Sequence, residues 1–220
     1  MLKREFEKLS GYKKSKKIGS GVAGTVYAIK GNPKLIVKEQ PINLFKRELP
    51  PAIYLSKINV LPKIRGVYQS KRKGYIIQDR YDGTLRDIIK KKVKNTSGVT
   101  KDGDLNKNSR RKLRTVIRKM HKAGVVHLNL HTDNIVYKKT PTGLVFKVID
   151  TGRAQGVDTP MKTLDNIKRE TRKRAKKMFK YRPEDVQRTV DRELQFYKGT
   201  PLPKYDFSPD ERQLKIFKGI

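Results

Sequence analysis

The chain has 220 residues, 35% of them apolar, with 54 Lys and Arg against 21 Asp and Glu and a formal net charge of +33. That length suits one domain or two small lobes, and that charge favours polyanions: nucleic acid, acidic protein tails or anionic membrane surfaces. With no cysteine and three scattered histidines, a disulfide framework, a thiol nucleophile and a zinc site with cysteine ligands are excluded, and no histidine metal site is expected.

Residues 1–16 read as a short charged helix or arm without the apolar core of a signal peptide. No apolar run approaches the ~18 residues of a membrane span; the lack of cysteine fits a reducing compartment, and an intracellular protein, in cytoplasm or nucleus, is expected. From 17 to 40 the pattern is β, with turn chemistry at Gly31-Asn32-Pro33. Residues 42–58 read as helical, but Pro50-Pro51 predicts a break with a short helix on each side. "GYIIQDRY" (74–81) reads as a strand, and Asp82-Gly83-Thr84 as a turn into a helix near 85–93.

A polar basic loop spans 91–108, and a helix follows at about 109–123 with Leu113, Val116, Ile117 and Met120 on one face. "GVVHLNLHTDNIVYKK" and "LVFKVIDTG" bracket the turn Thr140-Pro141-Thr142-Gly143 and predict a hairpin. From 161 the chain reads as helical, with Leu164, Ile167, Thr171, Ala175 and Met178 in one stripe and nine Lys and Arg between 161 and 180. Pro183 suits the first position of a last helix, whose inner side is Val186, Val190 and Leu194. There is no internal repeat. Strands first and then mainly helices predict an α+β fold of two unequal lobes.

"GSGVAGTV", Gly19 to Val26, fits G-x-G-x-x-G-x-V with β pattern on both sides. A plain hairpin explains such glycines; so does a flap whose backbone N–H groups cover phosphates, while the missing strand-to-helix order argues against a dinucleotide fold. "HLNLHTDN", His127 to Asn134, resembles H-R-D-x-x-x-x-N, and Asp150-Thr151-Gly152 resembles D-F-G. In this order, over residues 15–155, the three strings resemble the protein kinase superfamily. Their wording is nearest to its compact viral kinases and small-molecule phosphotransferases.

The resemblance implies a two-lobed fold, with a small β-rich N-lobe (about 15–81) and a truncated, mainly helical C-lobe (82–220) that includes a basic helix at 161–180. It implies ATP and Mg²⁺ as cofactors. Gly19, Ser20, Gly21, Gly24 and Val26 would cover the nucleotide. Lys30, in "VYAIK", is too near the glycine loop; Lys38, after Leu35-Ile36-Val37, would face the α- and β-phosphates, the alternative being a solvated strand-end lysine. Glu48 is the expected partner of Lys38, its alternative a solvated glutamate in a basic segment. Gln78 would be the gatekeeper, the backbone at Asp79 and Tyr81 would meet adenine, and Asp82 would reach the ribose. Asn134 and Asp150 would bind Mg²⁺ through oxygen.

Asn129 stands where the family carries its catalytic aspartate. An amide oxygen can orient a hydroxyl but takes no proton near neutral pH, and losing a positioned base costs about 10²- to 10⁴-fold. Leu128 replaces the family's arginine; His131 stands where it carries a phosphate-contacting lysine, and Asp133 is a candidate displaced base. No A-P-E string follows "TGRAQGVDTP". The expected function is therefore an ATP–Mg²⁺-binding, pseudokinase-like protein with weak or absent phosphotransfer. The alternatives are an active atypical Ser/Thr kinase and a basic nucleic-acid-associated or virion scaffold protein.

The densest charge run is "IKRETRKRAKKMFK" (167–180). Lys90, Lys91, Lys92 and Lys94, with Arg110, Arg111, Arg114 and Arg118, add to its field. It reads either as a solvated helix face or as a surface for nucleic-acid backbone contacts rather than base reading. The expected partners are ATP, a protein substrate or partner, and nucleic acid, and the viral wording suggests association with a virion.

Overall fold

The apolar alternation between residues 14 and 41 folds into strands. The computed structural model describes residues 6–8, 10–90, 93, 96–156, 161, 163–178 and 183–197. Strands β1 (Lys14–Gly21), β2 (Gly24–Ile29), β3 (Asn32–Pro41), β4 (Ile64–Gln69) and β5 (Lys73–Asp79) form one antiparallel sheet in the order β1-β2-β3-β5-β4. Side chains alternate across a strand, so β3 divides its work. Leu35 and Val37 point to a small core with Phe6, Ile29, Tyr75 and Ile77. Ile36, Lys38 and Gln40 point to the other face, opposite Gln78, Ile76 and Gly74 of β5.

Two local expectations are corrected here. The β2–β3 turn is Lys30-Gly31, because Ile29 pairs with Asn32 and both Asn32 and Pro33 lie within β3. Gly31 makes this tight turn possible with φ +74°. Residues 42–57 form one continuous helix, α1 (Ile42–Lys57), straight through Pro50 and Pro51. The prolines cannot donate to the carbonyls of Lys46 and Arg47. Both of those residues are exposed, so water can meet the carbonyls, while Phe45, Glu48, Ala52 and Leu55 hold the opposite face in the core.

Strand β6 (Gly83–Thr84) leads into a short helix, α2 (Leu85–Ile89), which stops before the expected residue 93. Asp87 fixes its start by accepting from the Thr84 N–H at 2.8 Å and the Thr84 hydroxyl at 3.0 Å. Helix α3 (Lys107–Lys122) begins at Asn106, whose side chain accepts the Ser109 N–H at 2.9 Å. Its Leu113, Ile117 and Met120 are fully buried in the larger core, each worth about 1.5–3 kcal/mol of burial.

Strands β8 (Ile135–Thr140) and β9 (Gly143–Val148) form the predicted hairpin, joined by Pro141-Thr142, and β6 adds to its edge. Strand β7 (Val125–Val126) leaves that hairpin and pairs with β10 (Gln155–Gly156). Helices α4 (Leu164–Met178) and α5 (Pro183–Leu194) pack on each other. Ile167 of α4 closes a third cluster with Val126, Leu128 and Met161. The described chain is thus α+β, an antiparallel sheet-rich N-terminal region followed mainly by helices. None of its helices is long and apolar enough to cross a membrane.

The first five residues of the expected N-terminal arm, Lys91, Lys92 and Lys94 of the basic loop, residues 157–160 after the Asp150-Thr151-Gly152 string, and residues 179–180 of the expected basic helix lie outside the described residues.

Candidate functional site

Lys38 of β3, Glu48 of α1 and Asp150, just after β9, meet at one point. The Lys38 ammonium donates to both Glu48 oxygens, at 2.7 and 2.6 Å, and to Asp150 Oδ1 at 3.2 Å. Lys30, by contrast, sits exposed in the β2–β3 turn. Burial alone would lower the Lys38 pKa, but the charges of Asp150 and Glu48 outweigh it and hold the ammonium above the ordinary lysine value. Burial likewise works against an ionised Asp150, and the adjacent Lys38 brings its pKa below the usual carboxylate value. Glu48 moves the other way: burial first, and then the charge of Asp150, raise its pKa above the usual carboxylate value against the pull of Lys38.

A second group lies on the loop between β7 and β8. The Asn134 side-chain nitrogen donates to the Asn129 carbonyl at 2.9 Å and to His131 Nε2 at 3.0 Å. With its nitrogen so committed, the Asn134 amide keeps its oxygen as an acceptor. Asn129 Nδ2 lies 3.5 Å from His131 Nε2. Burial first, and then the charge of Arg192, push the His131 pKa down to about 4. At neutral pH His131 is therefore an uncharged ring that accepts a hydrogen bond. Asp133, the candidate displaced base, pairs with Arg86 at 2.9 Å.

The two groups are joined through the backbone. His127 Nε2 donates to the Ile149 carbonyl at 2.9 Å, and the Ile149 N–H donates to the Asn134 carbonyl at 2.9 Å. The loop is anchored from below by Glu193 of α5, a residue that sequence reasoning missed. Its carboxylate accepts the backbone N–H groups of His127 at 2.7 Å and Leu128 at 3.1 Å, and contacts His121 Nε2 at 2.8 Å. Glu193 and His121 have no exposed side-chain surface. Burial would raise the Glu193 pKa, but these hydrogen bonds and the neighbouring histidines lower it, so the group is a buried carboxylate.

Above Lys38 lies the glycine turn. Gly21 pairs with Gly24 across Val22-Ala23, and Val26 stands opposite Lys38 in the ladder. Gly24 has φ +139°, and a Cβ there would sit 2.3 Å from the Glu39 carbonyl oxygen, so only glycine fits. A Cβ on Gly19 or Gly21 would meet nothing within 4 Å; with Ser20 between them, these residues border open space. Gln40, also missed in the sequence, is buried next to Lys38 on the same face. Its amide nitrogen, oriented by the acceptors around it, reaches the Ala23 carbonyl at 3.0 Å and Glu48 Oε2 at 2.9 Å.

Gln78 lies on the Lys38 face of β5, opposite Ile36. Asp79 turns its carboxylate to Arg65 at 2.6 Å, and its N–H donates to the Lys63 carbonyl at 3.0 Å. Tyr81 is half-buried, its phenol pushed up to about 12 by burial and the Asp79 charge. Asp82 accepts the Lys139 N–H at 2.7 Å, which ties it to β8. Among the described residues these four form no hydrogen bond or ion pair with Lys38, Glu48, Asp150 or Asn134.

The donor set suits a hard cation. Asp150 and the Asn134 amide offer oxygen ligands, and the described residues hold no cluster of three or more His, Asp or Glu that could form an all-protein cage. Mg²⁺ is ordinarily held by one or two such side chains with the remaining positions taken by water and phosphate oxygens. The sequence matches no protein-family model and no curated protein.

Proposed function

We propose that the chain has a two-lobed protein-kinase-like fold that binds ATP with Mg²⁺ and transfers phosphate weakly or not at all. The observation that carries this reading is the contact of Lys38 with both Glu48 and Asp150, which brings β3, α1 and the segment after β9 to one partly buried point. In this reading Lys38 holds the α- and β-phosphates, and the backbone from Gly19 to Gly24 covers them. Asn134 and Asp150 supply metal ligands, while Gln78 and the backbone of Asp79 and Tyr81 border adenine. Asp82 reaches the ribose with the oxygen not bound to Lys139. The nucleotide supplies the phosphoryl group, and its metal neutralises phosphate charge.

Asn129 then orients an attacking hydroxyl without accepting its proton. An imidazole with a pKa of about 4 is a weak base at neutral pH, so His131 does not replace the absent carboxylate. That favours impaired phosphotransfer over an active atypical Ser/Thr kinase. The partners that go with this reading are ATP, a hydroxyl-bearing protein and, on the basic surface, nucleic acid, in an intracellular or virion setting.

Thermal unfolding with and without ATP and Mg²⁺ tests the site. A ligand at a hundred times its Kd stabilises by about 2.7 kcal/mol. The ligand-dependent rise is expected in the unsubstituted chain and in Lys30→Ala, and is expected to vanish in Lys38→Ala. No rise in the unsubstituted chain would remove the nucleotide-binding reading.

A further inference from the structure

We propose that the outer face of α4 is a docking surface for the sugar–phosphate backbone of double-stranded nucleic acid. The inference rests on the nucleic-acid part of the reading above and is independent of the nucleotide site.

Helix α4 has two unlike faces. Ile167, Thr171 and Ala175 are buried, the first in the cluster with Val126, Leu128 and Met161. Lys168, Arg169, Lys173, Lys176 and Lys177 are exposed, and Arg172 is half-exposed. These six cations form two rows, 168-172-176 and 169-173-177. Each step of four residues advances about 6 Å along the helix axis, so each row extends about 12 Å. A duplex strand presents a phosphate about every 3.4 Å of its own axis. The face therefore spans an array of several phosphates and is much longer than one phosphate group.

The surface is not neutralised by its own fold. Arg169 lies 3.6 Å from Glu170, and Arg172 donates to the Gln187 side chain at 3.3 Å. Lys168, Lys173, Lys176 and Lys177 form no ion pair among the described residues. Among the described residues, Asp165 is the one carboxylate that lines the groove along this face, beside Lys168, Arg169, Arg172, Lys173 and Lys176.

The apolar side decides between polyanions. A helix that lies in a membrane interface buries its apolar face in lipid. The apolar stripe of α4 is already used inside the protein, which leaves only charge for the outside. Single-stranded nucleic acid is ordinarily held by aromatic platforms on which bases stack, and α4 carries no aromatic residue. A straight ridge of ammonium and guanidinium groups without stacking partners suits a duplex backbone, bound without reference to sequence.

The test is fluorescence anisotropy of a short labelled DNA duplex with the full chain, repeated across salt concentrations. A quadruple variant, Lys168→Gln, Lys173→Gln, Lys176→Gln and Lys177→Gln, is compared with an α3 control that removes the same charge from exposed positions: Lys107→Gln, Arg111→Gln, Lys119→Gln and Lys122→Gln. Each phosphate contact adds about 0.9 to the slope of log affinity against log salt. The α4 variant should lose about 3–4 of that slope and at least about tenfold in affinity at moderate salt, with an unchanged melting transition. The control should lose less than half as much. If the quadruple variant does not fold, Lys173→Gln with Lys176→Gln should give about half the slope change.

Equal losses in both variants would mean that net charge alone binds the duplex, and would overturn the assignment to α4. No duplex binding by the unsubstituted chain would overturn the nucleic-acid reading as well. So would α4-dependent binding to phosphatidylserine vesicles, or to an acidic polypeptide, without duplex binding. None of these outcomes touches the thermal shift with ATP.

Discussion

The carboxylate of Glu193 accepts the backbone N–H of His127 at 2.7 Å across 66 residues of chain. The other Glu193 oxygen takes the Leu128 N–H, and His121 and Tyr197 complete a buried chain of polar contacts, with His121 Nδ1 2.5 Å from the Tyr197 hydroxyl. Leu128 holds φ at +60°, a costly conformation for a leucine that the anchored N–H groups help to fix. Through this side chain, with Gln195 donating to the Leu130 carbonyl at 2.9 Å, the α5 end holds the loop carrying Asn129, His131 and Asn134.

Removing the anchor should therefore be expensive. Glu193→Ala leaves two buried backbone N–H groups and His121 without their acceptor, each unsatisfied donor costing about 1–3 kcal/mol. A loss of about 3–5 kcal/mol is expected in urea unfolding. A change below about 1 kcal/mol would mean that the loop holds its shape without Glu193.

The sequence made Lys38 legible because strand order is a strong constraint: the Lys30-Gly31 turn puts Lys38, not Lys30, on the central strand facing α1. Glu193 was not legible. A glutamate in a helix rich in Arg and Asp reads as solvated, and nothing local signals that it points inward at a loop 66 residues earlier. Gln40 was missed for a related reason, since its partners Ala23 and Glu48 come together only in the fold. The continuity of α1 was misread because proline propensity counts a lost hydrogen bond without knowing that the orphaned carbonyls belong to exposed residues. The hairpin and the amphipathic helices were legible because their apolar periods match their buried faces.

The glycine turn gives a paired test. At Gly24 an alanine would require φ +139° and a Cβ 2.3 Å from a backbone oxygen. Gly24→Ala should destabilise the protein by at least about 1–3 kcal/mol. At Gly21 the added Cβ meets nothing within 4 Å, so Gly21→Ala should stay within about 0.5 kcal/mol of the original stability. Chemical denaturation of the two variants decides this, and equal losses would contradict the close approach of Gly24 to β3.

Asn129→Asp introduces a group that can take a proton into the loop that carries His131 and Asn134. If the proposed phosphotransfer is limited by the missing base, autophosphorylation from labelled ATP should rise, by up to about 10²- to 10⁴-fold. The rise should disappear when Asp150→Ala is added. Strong turnover by the unsubstituted chain that is lost in Asp150→Ala would show instead that the base is not missing.

His131 makes stability depend on acidity. Burial, then Arg192 and His127, hold its pKa down to about 4, with Asp150 opposing and Arg86 adding to the depression. In the unfolded chain an imidazole titrates near 6.5. Between those values the unfolded state binds the proton and the folded state does not, so stability rises with pH across the window. The contribution is complete above about pH 6.5 and is lost as pH falls towards 4, a change of about 2–3 kcal/mol. Urea unfolding at pH 7 and pH 4.5 should show this loss, and His131→Gln should reduce the difference between the two pH values. An undiminished slope in His131→Gln would assign the pH dependence to other groups and would contradict the neutral ring that accepts from Asn134.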